Sequence, residues 1–236
     1  MFLETKWDSK GGRKPWPYTT GVAAEYCAEV YKDELHIFGG NNGFESVGVN
    51  LHMSLNLRTL RWSKLGGTVA LKQLIRGMPS MRKGAGSWVV PEERRMYILY
   101  GCATPEYSRV PKLNGTEFQQ DDMWSYSFEE KVWRRERFRG NYPSPRARFA
   151  CAYNKKLQQV VVFGGGHVQL PSLDQHYSQV NIDETPLGDT FILDLKSGIW
   201  KQILTRNFPH HRLKTQALFD EDTGKVYLFG GNCAFL

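Results

Sequence analysis

From Gln159 to Gly165 the chain reads QVVVFGG. β-Branched and aromatic side chains able to fill both faces of a buried strand run straight into paired glycines, which free the backbone to turn. The phrase returns as LHIFGG from Leu35 to Gly40, YILYGC from Tyr97 to Cys102 and VYLFGG from Val226 to Gly231. Gly39, Gly101, Gly164 and Gly230 lie 62, 63 and 66 residues apart, followed in three cases by Gly40, Gly165 and Gly231. Self-similarity at so steady an interval is the signature of a repeat architecture.

Other residues keep step with the glycines. Trp7, Trp133 and Trp200 precede the next glycine pair by 32, 31 and 30 residues, and Trp62 by 39, the extra length being the insert GGTVALKQLIRG. Upstream of three of them an alternating segment appears, LHMSLNL at Leu51, DMWSYSF at Asp122 and DTFILDL at Asp189. Apolar residues at every second position predict a strand with one buried face. A short polar turn joins each such strand to its tryptophan, and a second hairpin, such as FACAYNKKLQQVVVFGG, precedes each glycine pair. Each period is therefore four antiparallel strands, and only VALKQLIRG from Val69 hints at a helical turn. Proline marks the boundaries. Pro79, Pro143 and Pro209 each precede an arginine by three residues (Arg82, Arg146, Arg212), while Pro17 keeps the step with Thr20 in the arginine's place.

Such a unit, with a glycine pair after the second strand, an aromatic alternating third strand and a tryptophan in the fourth, resembles a kelch repeat, the blade of kelch β-propellers. The resemblance covers nearly the whole chain. It departs at Cys102, which stands in a glycine's place, and in repeats of more than 60 residues where about 50 is usual. It implies an all-β fold of four-stranded blades: an outer strand at 2–8, blades at 17–65, 79–138 and 143–204, and the inner hairpin of a further blade at 209–236. Three full blades plus parts of a fourth make an open, incomplete ring, whose bare edges invite self-association. Phe38, Tyr100, Phe163 and Phe229 are expected to be buried at equivalent places in four blades.

In a propeller the loops after the glycine pairs and the crossovers between blades share one face. Here the crossovers are basic, with seven basic residues and one acid, Glu136, between Lys131 and Arg148, whereas the turns VYKDEL, VPEERR and FDEDTG opposite carry acids. The formal charge of +7 is thus gathered on one side. Arg82, Arg146 and Arg212 repeat in phase and read as blade-to-blade hydrogen bonders. Arg109, Arg137, Arg139, Arg148 and Arg206 fall outside the repeat. With Tyr107, Tyr142, Phe208 and His176 they are the candidate surface for a protein or peptide partner of acidic character. Nucleic acid is disfavoured by the sparse interleaving of aromatics and the lack of any recognition motif.

Catalysis finds little support. His167 and His176 share a loop with Asp174 and Asp183, and His210 and His211 lie in a crossover on the same face, but none has tight ligand spacing, so no metal or other cofactor is expected. Asp122 and Asp189 keep an equal offset from Trp133 and Trp200, which makes them repeat elements and not paired catalytic carboxylates. The expectation is a non-catalytic interaction module. The alternatives are a metal-dependent oxidase or lyase built from the same loops, and a structural part of a larger protein. No 18-residue apolar run occurs and MFLETKWDSKGG has no apolar signal core, so a cytoplasmic or nuclear location is expected. Cys27 and Cys151, like Cys102 and Cys233, hold like positions of different repeats and are expected to lie far apart as reduced thiols.

Overall fold

A computed structural model describes residues 24–41, 50–67, 77–103, 118–168 and 184–233. Trp7, Pro17, Thr20, the expected strand at 2–8, the stretch from Val69 to Arg76, and Tyr107, Arg109, Asp174, His176 and Asp183 lie outside them. The described residues are all-β. Three four-stranded antiparallel sheets follow one another: β1 (Cys27–Tyr31), β2 (Glu34–Phe38), β3 (His52–Asn56) and β4 (Arg61–Gly66); then β5 (Gly86–Val90), β6 (Arg95–Leu99), β9 (Met123–Ser127) and β10 (Trp133–Glu136); then β11 (Ala150–Asn154), β12 (Gln159–Phe163), β15 (Thr190–Asp194) and β16 (Ile199–Ile203). Within each, strands pair in chain order. The short ribbons β7 (Cys102–Ala103) with β8 (Phe118–Gln119), and β13 (Gly166–Val168) with β14 (Glu184–Pro186), extend the second and third repeats beyond their glycines. A hairpin of β17 (Leu213–Asp220) and β18 (Lys225–Asn232) follows.

The first strands pack side by side in order, β1 against β5, β5 against β11 and β11 against β17. Backbone hydrogen bonds stitch them together at like positions: Gly84 N–H donates to Glu25 O at 2.9 Å, Arg148 N–H to Gly84 O at 2.7 Å and Lys214 N–H to Arg148 O at 2.7 Å. All four residues adopt positive φ, between 53° and 60°. A second row links each repeat to the next, with Gly40, Gly101 and Gly165 N–H donating to the carbonyls of Arg82, Arg146 and Arg212 at 2.8, 3.1 and 2.9 Å. These glycines have φ of 88°, 93° and 92°, and a Cβ on Gly165 would sit 2.6 Å from that of Phe149, so a side chain is excluded by conformation and by space alike.

That row corrects the alignment read from the sequence. Gly101 matches the second glycine of each pair, Gly40 and Gly165. Tyr100, with φ of 53°, takes the place of the first. Tyr100 N–H donates to Asp122 O, as Gly39 does to Leu51 O and Gly164 to Asp189 O. The residue equivalent to Phe38 and Phe163 is therefore Leu99, placed opposite Gly86 as Phe163 is placed opposite Ala150. Tyr100 is buried at another place, its ring 5.4 Å from that of Phe138 and its hydroxyl donating to Pro143 O.

Phe38, Leu99 and Phe163 are buried, but Phe229 is 82% exposed, against the expectation that it would be buried like them. No further sheet lies over its face among the described residues, and no strand pairs with the outer edge of β18. The alternation expected of the third strands holds in β15, where Phe191 and Leu193 are buried between half-buried neighbours, and a second correction concerns β9. In β9, Met123 and Ser125 on one face and Tyr126 on the other are all buried, because the second sheet has a sheet on either side. The cysteines need a third. Cys27 Sγ donates to Ala85 O at 3.6 Å and Cys151 Sγ to Ser87 O at 3.2 Å, so these thiols converge on one strand and are not far apart. First strands packed in a row bring like positions together. Among the described residues Cys27, Cys102, Cys151 and Cys233 form no disulfide, and burial pushes the Cys27 thiol up to about 12.

Candidate interaction face

The in-phase arginines are built into the scaffold. Arg146 is fully buried. Its Nε donates to Ser144 O at 2.9 Å, its Nη1 to Gly164 O at 3.1 Å, and its two Nη atoms grip the Asp189 carboxylate. Arg82 repeats the arrangement with Ser80 O at 3.1 Å, Tyr100 O at 3.0 Å and Asp122 Oδ1 at 2.7 Å. Burial pushes the Asp122 carboxyl up, but the Arg82 hydrogen bond and charge outweigh it and hold it below the usual range. A buried guanidinium is tolerated only when its donors are matched in this way. Arg212 makes the two backbone contacts, to His210 O at 3.2 Å and Gly230 O at 3.1 Å, yet is only half-buried and meets no carboxylate among the described residues.

The out-of-phase arginines divide. Arg148 is held by Glu25, Nε to Oε2 at 3.0 Å, with its side chain only 9% exposed, so it joins the third repeat to the first and is not a free cation. Arg137, Arg139 and Arg206 are exposed and pair with no carboxylate among the described residues. The backbone that carries Arg137 and Arg139 is nonetheless fixed. Trp200 N–H donates to Arg139 O at 2.9 Å and Asn141 N–H to Trp200 O at 3.0 Å, which pins the crossover carrying Arg137 and Arg139 along β16. Tyr142, 48% exposed, stacks on Phe138 at 4.9 Å, and Phe208 stands 72% exposed in the next crossover beside Arg206. The described geometry thus brings three unpaired arginines and two exposed aromatics onto neighbouring crossovers that border β16. His210 and His211 are exposed in the same crossover as Phe208, while His167 is tied to Pro145 O at 3.1 Å. Among the described residues no group of three or more His, Cys, Asp or Glu could hold a metal ion, and no helix is long and apolar enough to cross a membrane.

Sequence reasoning missed a cleft of about 530 Å³ between the first two sheets, lined by Tyr31, Glu34, His36, Ser54, Tyr126 and Lys131 among others. Under it lies a buried histidine pair, with His36 Nδ1 and His52 Nε2 3.2 Å apart and His36 Nε2 3.3 Å from Glu34 Oε2. His36 and His52 occupy facing strands of the first sheet only, so no repeat pattern advertised them. Glu29, whose Oε1 accepts from Ser87 Oγ at 2.7 Å, has its carboxyl pushed up by burial, against the pull of that hydrogen bond. Neither the family models nor the curated proteins searched contain a match to this chain.

Proposed function

We propose that this protein is a non-catalytic interaction scaffold of the kelch-propeller type, which captures an acidic protein or peptide segment on its crossover face. The arc arrangement is supported by first strands that pack in sequence and by two rows of inter-repeat hydrogen bonds at like positions. One observation carries the functional reading: Arg82 and Arg146 are consumed by internal carboxylates, whereas Arg137, Arg139 and Arg206 stand exposed and, among the described residues, unmatched by any carboxylate, with Arg137 and Arg139 beside Tyr142 on a crossover whose backbone is hydrogen-bonded to β16, and Arg206 beside Phe208. Arginine forks with aromatic neighbours on a rigid support suit carboxylate recognition at low entropic cost. A reducing compartment, the cytosol or nucleus, suits four cysteines that form no disulfide.

The test is capture of an immobilised poly-glutamate peptide by the protein and by a variant with Arg137, Arg139 and Arg206 replaced by glutamate. Screening over about 8 Å at physiological salt should weaken wild-type binding as salt rises. The triple variant should fold normally and lose most capture. Equal binding by the two proteins refutes the proposal.

A further inference from the structure

We propose that the outer edge of β18 is a docking site for an extended partner strand of the pattern Asp–x–apolar–x–apolar, whose aspartate is gripped by Arg212. The protein states the rule three times. In each complete sheet the second strand is paired on its outer edge by a third strand, through Phe38 opposite His52, Leu99 opposite Met123 and Phe163 opposite Thr190. In two of them the residue just before that third strand is an aspartate, Asp122 or Asp189, held by the arginine of the same repeat.

The final hairpin reproduces half of this arrangement. Gln216 faces Phe229 as Ala150 faces Phe163, and Arg212 donates to Gly230 O as Arg146 does to Gly164 O. What differs is that no strand pairs with the outer edge of β18 among the described residues, and Arg212 keeps donors that Arg146 spends on Asp189. On one face of the hairpin Leu218, Tyr227 and Phe229 are 70%, 51% and 82% exposed, and Phe229 and Tyr227 would meet the second and fourth residues of an incoming strand, while its apolar third and fifth residues would face Leu228 and Val226, as Phe191 and Leu193 face Val162 and Val160. Equivalence fixes the register of an incoming strand. Its aspartate would accept from Gly230 N–H, as Asp189 accepts from Gly164, and its next residue would face Phe229. The sixth residue would face Lys225, as Asp194 faces Gln159, so an acid is favoured there too. Both charges on the protein side, Arg212 and Lys225, select an acidic strand. Main-chain hydrogen bonds would supply affinity and the two acids would set the register. This site is separate from the crossover arginines and does not rest on their function.

The experiment uses the full chain and a fluorescently labelled peptide containing DTFILDL, the sequence from Asp189 to Leu195, flanked by lysines for solubility. Fluorescence anisotropy should show saturable binding. Replacing the peptide's first Asp with Asn should weaken it at least tenfold. The protein variant Arg212→Asp should do the same and should regain binding to a peptide that begins with Arg. Hydrogen exchange should show new protection in Val226 to Gly230 on saturation. Binding indifferent to both the Asp and Arg212, or protection elsewhere, overturns the proposal. So does protection of the β18 edge before any peptide is added, in a monomer (the chain's own residues 1–23 as occupant) or in a dimer detected by light scattering.

Discussion

At His52 the ring has one neighbour too few. Glu34 accepts from His36 Nε2–H, so His36 Nδ1 is left to accept from His52 Nε2–H, and His52 Nδ1 has no partner among the described residues. Tyr126, Trp133 and Phe38 surround it, with ring centroids at 4.5, 5.2 and 6.2 Å. Burial, and then the charge of His36, lower its pKa from 6.5 to about 3; burial also lowers that of His36, against the pull of Glu34. A histidine that is harder to protonate folded than unfolded contributes stability that is complete above its unfolded value and lost as pH falls. Stability should therefore decline from about pH 6.5 toward about pH 3 more steeply in the wild type than in a His52→Leu variant, as urea titrations at each pH would show. Parallel declines would mean that the pair titrates normally. A second residue-scale contrast compares two phenylalanines at matching positions. Phe163, 3% exposed, should cost about 3–5 kcal/mol on truncation to alanine, or roughly 6–20 °C in melting temperature for a chain of this size. Phe229→Ala, on an open face, should stay within about 0.5 kcal/mol. Equal shifts would show that β18 is covered in solution.

At the scale of strands, the arginine–aspartate clamp ties the start of the third strand to the turn before the first. Side-chain exposures of 0% for Arg82 and 12% for Asp122 place this pair out of water, so Asp122→Leu should cost about 3–5 kcal/mol by leaving a guanidinium buried and unmatched. Replacing Arg82 with methionine as well should recover much of that loss, measured as a double-mutant coupling well above 0.5 kcal/mol; simple additivity would refute the clamp. The first sheet shows that the position tolerates an apolar residue, since Leu51 occupies the aspartate's place there. The strands, their order and the phase of Asp122 and Asp189 were legible because they recur at fixed offsets. The shift at Tyr100 was not, because positive φ in a tyrosine leaves no residue-type mark of the kind a glycine leaves. Its trace was a single extra residue between Arg82 and Gly101 relative to Arg146 and Gly164. The half-buried aspect expected of the third strands held in β15 and failed in β9 for a related reason. Alternation reports the side chains, and neighbouring sheets decide how many faces are covered. Among the candidate arginines, sequence separated those in phase from those out of phase, but only the fold shows that Arg148 is engaged by Glu25, a residue 123 positions away.

For the molecule as a whole, stability should be graded along the row of sheets. Apart from the Arg148–Glu25 pair that joins the third repeat to the first, the repeats meet mainly as neighbours, through first strands packed in order and through the hydrogen bonds at Gly84, Arg148 and Lys214, so the free energy of opening any one unit depends on how many sides are covered. The second sheet has a neighbour on both sides, and the third has the second sheet and the final hairpin. Among the described residues the hairpin has one, and its Leu218, Tyr227 and Phe229 add little burial. Local opening of peripheral units costs less than global unfolding, and amide exchange reads this directly. In native-state exchange followed by mass spectrometry, the amides of β5, β6, β11 and β12 should be slowest. Those of β1 and β2 should exchange faster, and those of β17 and β18 fastest in spite of their eight-residue strands, which are longer than any others described. Strand length alone would predict the reverse order for the hairpin, which makes the measurement decisive between local pairing and neighbour packing as the source of order. Uniform exchange across all four inner strands would instead require that the two ends of the row support each other.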